Sequence, residues 1–175
     1  MALEHALLVA LRERPASGLE LARRFDKSIG FFWHATHQQI YRVLGRMEGD
    51  GWLTVRTVAQ TGRPDKKEYA VSAAGERVLA DWLAADTPVE PLRSELALKA
   101  RAASYGDREA VRRQLTDHLA EHETRLAAYH QMVEEQYPDP HALTGADLDR
   151  YLVLRGGVRL EEFWTGWLSE YLEHA

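Results

Sequence analysis

The stretch Thr36-His37-Gln38-Gln39-Ile40-Tyr41-Arg42-Val43-Leu44-Gly45-Arg46-Met47-Glu48-Gly49-Asp50-Gly51-Trp52-Leu53 sets the organisation of the chain. Ile40, Val43, Leu44 and Met47 recur at i, i+3, i+4 and i+7, which predicts a helix with one apolar face. Thr36 followed by Gln39 has the spacing of a capping box, in which the hydroxyl takes the N3 amide and the glutamine reaches back to the cap amide. Gly51 can adopt the left-handed conformation that ends the helix, after which Trp52, Leu53 and Val55 resume as extended chain. The opposite face carries His37, Gln38, Tyr41, Arg42 and Arg46, side chains that contact base edges or phosphate as readily as they face water. What surrounds the helix decides between those two uses.

Towards the N-terminus, Leu3, Leu7, Ala10 and Leu11 predict a short helix stopped at Arg14-Pro15-Ala16. Ser17 and Glu20 form a second capping box, and Leu21, Ala22 and Phe25 continue as a second amphipathic helix. Gly30-Phe31-Phe32-Trp33 reads as a packed connector, so the second and third helices make a helix-turn-helix with a long turn.

Towards the C-terminus, Leu53, Val55 and Thr57 alternate with Thr54, Arg56 and Val58, the period of a strand. Gln60 to Asp65 is a turn sequence with glycine and proline, and Glu68 to Val71 is the return strand. The hairpin tip is expected to present Arg63, Lys66 and Lys67 together. Ser72 caps a fourth helix with Val78, Leu79, Trp82 and Leu83. Three helices followed by a basic hairpin make a winged helix, and its third helix and wing approach DNA from one side.

The 175 residues suffice for one or two small domains with a real core. There is no cysteine, which excludes disulfides, thiolate metal sites and a cysteine nucleophile. No apolar run approaches the ~20 residues of a membrane span, and Glu4 and His5 interrupt the first one, so the expectation is a cytoplasmic protein with no membrane partner. The net charge of −5 hides an asymmetry. Residues 1–80 hold 12 basic and 9 acidic side chains, a balance of +3, whereas residues 81–175 hold 10 and 18, a balance of −8. Local field matters more than total charge for phosphate contact.

The run Gln39 to Leu53, with its tyrosine and its acidic-Gly-apolar ending, resembles the recognition helix of the PadR-like transcriptional regulators. Gly62-Arg63-Pro64-Asp65-Lys66-Lys67-Glu68-Tyr69-Ala70-Val71-Ser72-Ala73-Ala74-Gly75 is similar to the wing signature of that family, departing from it at Pro64-Asp65 where basic residues are common. The resemblance implies double-stranded DNA as partner, a homodimer on a pseudo-palindromic operator, and a phenolic or other aromatic effector. The expected DNA-binding residues are Thr36, His37, Gln38, Gln39, Tyr41, Arg42, Arg46, Arg63, Lys66 and Lys67.

Asp86 to Pro91 reads as a linker. A short helix with Leu96, Ala100 and Ala103 on one face follows, and Asp107 is a candidate cap for a long helix running to Tyr137. Leu115, Leu119, His122, Leu126, Tyr129 and Val133 step by 4, 3, 4, 3 and 4, a seam suited to a helix of this chain or of another copy. A last helix from about Ala146 ends in Trp164, Trp167, Leu168, Tyr171 and Leu172. Leu115, Leu119, Leu126, Val133, Leu168 and Leu172 are the expected dimerisation residues. Gly156-Gly157-Val158 ahead of Trp164 and Trp167 resembles the C-terminal helical domain of the virulence-activator type found in many PadR-like proteins.

His118-Leu119-Ala120-Glu121-His122 spells H-x-x-E-H, which on a helix could place two histidines on zinc, though so short a motif recurs by chance and needs a third ligand. His34 and His37 share a spacing that could also hold a metal. No phosphate-binding loop, nucleophile elbow or paired catalytic carboxylates stand out, so no catalytic site, metal or cofactor is expected. Trp33, Trp82, Trp164 and Trp167 could line an aromatic pocket or pack in the core, and Trp82, Trp164 and Trp167 are the candidate effector residues. A phenolate effector there would need an arginine, Arg93, Arg101, Arg155 or Arg159.

The expected architecture is therefore mostly α with a small β-wing. A winged helix-turn-helix DNA-binding domain spans residues 1–85, and a helical dimerisation and effector domain spans residues 92–175. The expected function is a dimeric, DNA-binding transcriptional repressor released by a small aromatic effector. The alternatives are a helical interaction module whose winged helix binds another protein, and a metal hydrolase.

Overall fold

The computed structural model describes residues 2–27, 35–59, 62, 65–89 and 91–174, and the chain falls into two compact units, Met1–Val89 and Glu90–Ala175. The expected connector Gly30–Trp33, His34, and Arg63 and Pro64 of the turn lie outside the described residues.

In the first unit, α1 (Ala2–Glu13), α2 (Gly18–Lys27) and α3 (His37–Gly49) surround one core. Leu7, Leu8, Leu11, Leu21, Phe25, Ile40, Leu44 and Met47 are fully buried in it. The apolar stripe of α3 is thus the part of that helix that the other two cover. Local chemistry fixes the helix ends. The Thr36 hydroxyl accepts the Gln39 amide at 3.3 Å, and the Gln39 side chain accepts the Thr36 amide at 2.9 Å, closing the capping box. At the other end Trp52 N–H donates to the Met47 carbonyl at 2.9 Å and Gly51 N–H to that of Glu48 at 3.1 Å. This Schellman arrangement needs a left-handed residue, and Gly51 has a φ of 73°. The Ser17–Glu20 box closes likewise, with Ser17 N–H donating to the glutamate at 2.8 Å. Arg24 of α2 donates to the carbonyls of Ala10 and Arg14, tying α2 to the orphan end of α1.

The hairpin pairs β2 (Leu53–Val58) with β3 (Lys66–Val71), in register from Leu53 opposite Val71 to Val58 opposite Lys66. Two findings differ from the sequence-based expectation. Residues Ala16–Ser17 form a third strand, β1, paired to β3 opposite Tyr69 and Glu68, so the sheet runs β1-β3-β2. Lys66 and Lys67 belong to β3 and not to the tip, because the ladder extends two residues beyond the apolar part of the strand. Being consecutive in a strand, they point to opposite faces. Helix α4 (Ala73–Ala84) follows, its first turn capped by Ser72, whose hydroxyl accepts the Gly75 amide at 3.1 Å. Gly75 lies against the Trp52 carbonyl, where a side chain would collide.

In the second unit, α5 (Glu95–Arg101) leads into a 3₁₀ turn at Ala103–Tyr105 and then α6 (Arg108–Gln136), capped by Asp107 accepting the Ala110 amide at 2.9 Å. A second 3₁₀ turn, Pro140–Ala142, precedes α7 (Gly145–His174). Arg112 donates to the Leu172 carbonyl, His122 meets Glu161, and Tyr137 packs near Tyr151, so α6 and α7 run antiparallel. The α6 seam is filled from within the chain. Leu115 and Leu168 are fully buried with Ala100, and Leu119 and Leu172 pack against them. Leu115 and Leu168, expected among the dimerisation residues, are covered by α5, α6 and α7 of one chain. Leu126 and Val133 are half-buried. Among the described residues no helix is long and apolar enough to cross a membrane.

Candidate nucleic-acid interface

Helix α3 divides cleanly. Ile40, Val43, Leu44 and Met47 are buried, while Thr36, His37, Gln38, Gln39, Tyr41 and Arg42 are exposed along its first two turns. These six do not have equal freedom. Thr36 and the Gln39 carbonyl are held by the cap, so their part is to aim the helix. The Tyr41 ring lies over Gly18 at the start of α2, where any side chain would overlap it, yet the residue stays 49% exposed. Gly18 therefore belongs to the site, and nothing local in the sequence signals it. His37, Gln38 and Arg42 project with Tyr41 as the outward polar group of α3.

The cations are placed differently from the expectation. Arg46 turns to α1 and pairs with Glu4, a carboxylate that the core largely buries, so it leaves the open face. Lys66 reaches Glu20 of α2 at 3.2 Å. Lys67 sits 3.1 Å from both carboxylate oxygens of Glu48, in the last turn of α3. Arg56 of β2, which the sequence did not single out, pairs with Glu68 across the hairpin at 2.7 Å. The charges leave a mark on titration. Glu20 is pulled down to about 2, first by the Ser17 hydroxyl, then by the Ser17 amide, with Lys66 adding to both against a modest cost of burial. The Lys67 ammonium is held above its usual value by its hydrogen bond to Glu48. Burial raises the Tyr69 phenol.

The candidate effector tryptophans have different surroundings within their own units. Trp82 belongs to the first unit and stacks on His5, with centroids 4.6 Å apart and planes 8° from parallel. Trp164 stacks on His122 at 5.5 Å and meets Phe163 and Trp167 edge-on. Trp167 lines an open cavity of about 320 Å³ with Arg108, Glu170, Tyr171 and His174. None of the four arginines expected near an effector lines it; Arg108 does. In the H-x-x-E-H run, His122 is engaged through Nδ1 with the buried Glu161 at 2.5 Å, and Glu121 is exposed. Arg125 donates to the second oxygen of Glu161 at 3.1 Å, so the histidine serves the contact between α6 and α7. Among the described residues no group of three or more His, Asp and Glu is arranged to hold a metal ion.

Residues 7–81 match the Transcriptional regulator PadR-like family, and residues 92–174 match the family Virulence activator alpha C-term. A probable transcriptional regulator of Mycobacterium tuberculosis is 49% identical, covering 99% of this chain and 97% of that protein. The chain belongs to the PadR-like family of transcriptional regulators. A second PadR-like relative, the negative transcriptional regulator PadR of Bacillus subtilis, is 30% identical over 97% of this chain and 95% of its own. The crystal structure of that PadR in complex with operator DNA superposes with a TM-score of 0.86, covering 99% of each chain at 30% identity. Its structure in complex with p-coumaric acid gives a TM-score of 0.80 at 29% identity, covering 99% of this chain and 98% of that one. The PadR-like match places the polar face of α3 and the β2–β3 hairpin within the segment that gives the family its name.

Proposed function

We propose that this PadR-like regulator is a dimeric repressor whose two α3 helices enter successive major grooves of a pseudo-palindromic operator. The observation that carries the reading is the outward group His37, Gln38, Tyr41 and Arg42, set opposite a fully buried stripe on a helix capped at both ends. A rigid helix with bidentate donors and acceptors on one face suits base readout. The hairpin strand that carries Lys66 and Lys67 is then read as the part that meets flanking phosphate. The Bacillus subtilis relative, solved with operator DNA, supports the same use here. Selection from random duplexes by the purified protein tests this directly. The expected result is enrichment of two half-sites about 10–10.5 base pairs apart, with affinity falling linearly in log salt. Recovery of no common sequence would contradict it.

Dimerisation falls to surface that one chain leaves uncovered. Leu152, Val153, Leu160 and Phe163 of α7 are each more than half exposed, and Val153, Gly156, Leu160, Phe163 and Trp167 step by 3, 4, 3 and 4. That is a second seam, self-complementary about a two-fold axis, and Gly156 has open space beside it. Sedimentation of Leu160→Glu as a monomer beside a dimeric wild type is the expected outcome; a wild-type monomer at micromolar concentration would remove the dimer.

The effector is read as a small aromatic acid. The p-coumaric acid complex of the Bacillus subtilis relative supports that class, and the cavity beside Trp167 offers ring faces and the Arg108 cation. A ligand acts only through a difference in affinity between two states of the regulator. Phenolic acids are therefore expected to quench tryptophan fluorescence and release the selected duplex, and quenching without release would contradict the coupling.

A further inference from the structure

The first unit carries few free cations on the surface assigned to DNA. Among the described residues, Arg46, Lys66 and Lys67 are each tied to a carboxylate from a different helix: Glu4 of α1, Glu20 of α2 and Glu48 of α3. Exposed pairs of this kind add little to stability, typically about 0–1 kcal/mol. Their consequence lies in binding, because a lysine held by a carboxylate must give it up before it neutralises a phosphate. Glu48 is the plainest case. Glu4 is largely buried, and Glu20 also caps α2, whereas the Glu48 carboxylate, among the described residues, accepts only from Lys67, through both oxygens at 3.1 Å. The two residues sit on the two elements that meet the duplex, the last turn of α3 and the wing strand β3.

We propose that Glu48 limits the affinity of the wing for DNA by occupying the Lys67 ammonium in place of a phosphate, so that the wing engages DNA only when the base contacts of α3 seat it. On an arbitrary duplex nothing drives the exchange, and Lys67 stays on Glu48. On a matched site, docking of α3 brings a backbone phosphate to Lys67, and the ammonium changes partner. The carboxylate thereby lowers the affinity for both: an arbitrary duplex forgoes the wing contact, and a matched one makes it at the cost of the ion pair. The proposal rests on the DNA-binding reading above and deepens it.

The test compares wild type, Glu48→Gln, Lys67→Gln and the double variant on a duplex selected by the wild type and on a scrambled duplex of the same composition, each across salt. Glu134→Gln, which removes one charge from exposed surface of α6, controls for net charge. Glu48→Gln is expected to tighten the scrambled complex about five-fold and to steepen its log-log salt slope by about 0.9, the value of one more phosphate contact. The selected complex, in which the ion pair no longer has to be broken, should tighten at least as much, and Lys67→Gln should abolish both gains. Thermal unfolding of the variants verifies that the fold is intact. No tightening of the selected complex, a gain that survives Lys67→Gln, or no change beyond that of Glu134→Gln would each overturn the proposal. If the wild type itself showed neither preference between duplexes nor salt dependence, the DNA-binding reading would fall first.

Discussion

The two units bury and expose opposite things. The first surrounds eight fully buried large side chains with three helices and a sheet, and the outward side of its α3 and hairpin is polar and ion-paired, although Leu83 and Val89 beyond them are exposed. The second folds two long helices into a hairpin whose few fully buried large side chains are Leu115, Val158 and Leu168, and it encloses a carboxylate, Glu161, among them. Its outward face keeps Leu152, Val153, Leu160 and Phe163. A polar exterior over a dense core suits a partner made of phosphates and base edges. An apolar exterior over a thin core suits another protein surface. The contrast teaches that what each unit leaves unsatisfied names its partner better than what it buries.

The largest expected effect comes from the dense core. Leu44→Ala should destabilise the first unit by about 2–5 kcal/mol, the usual cost of such a cavity, whereas Leu152→Ala on the outer face of α7 should change the monomer's stability by less than about 0.5 kcal/mol. Urea unfolding followed by tryptophan fluorescence checks both, and comparable losses would erase the contrast in packing.

Next in size is the polar contact within the second unit. Glu161→Ala leaves His122 and Arg125 without their acceptor in a nearly closed site. Breaking a fully buried pair costs more, but Arg125 is 41% exposed on its side chain, so about 1–3 kcal/mol is expected. Faster amide exchange at the facing turns of α6 and α7, with the first unit unaffected, is the signature. Unchanged exchange would mean that the carboxylate is there for something other than holding the hairpin.

How much of this was legible in the sequence follows from distance along the chain. The caps at Thr36, Ser17, Ser72 and Asp107 depend on a residue three positions away, and each forms as the sequence indicates. The α3 stripe and the helix-breaking Gly51 are equally local. The partners of Arg46, Lys66 and Lys67 lie 42, 46 and 19 residues away, so nothing in a helical or strand period reveals them. Strand β1 is two residues long and exists only because β3 offers an edge. The seam on α6 was visible, but whether α7 of the same chain fills it was a question of tertiary folding. The ring partners of the tryptophans, His5 for Trp82 and His122 for Trp164, are likewise far away in sequence, which composition cannot convey.

A smaller effect separates the units by pH. Glu20 has a folded-state value of about 2 against an ordinary 4.5, so it binds protons less readily folded than unfolded. Its contribution is complete above the unfolded value and is lost as pH falls from 4.5 towards 2. Glu20 is nearly half exposed, and screening keeps the contribution under about 1 kcal/mol. In that window the first unit should lose more stability in wild type than in Glu20→Gln. Parallel acid profiles of the two proteins would show that the Ser17–Glu20 box carries no such linkage.

The most direct measurement of the central claim, that the outward face of α3 reads sequence, is the affinity of Gln38→Ala for the selected duplex and for its scrambled counterpart at one salt concentration. A direct base contact predicts a loss of about 1–3 kcal/mol on the selected duplex and none on the scrambled one. If Gln38→Ala and Arg42→Ala both bound the selected duplex as the wild type does, α3 would not be the element that reads it.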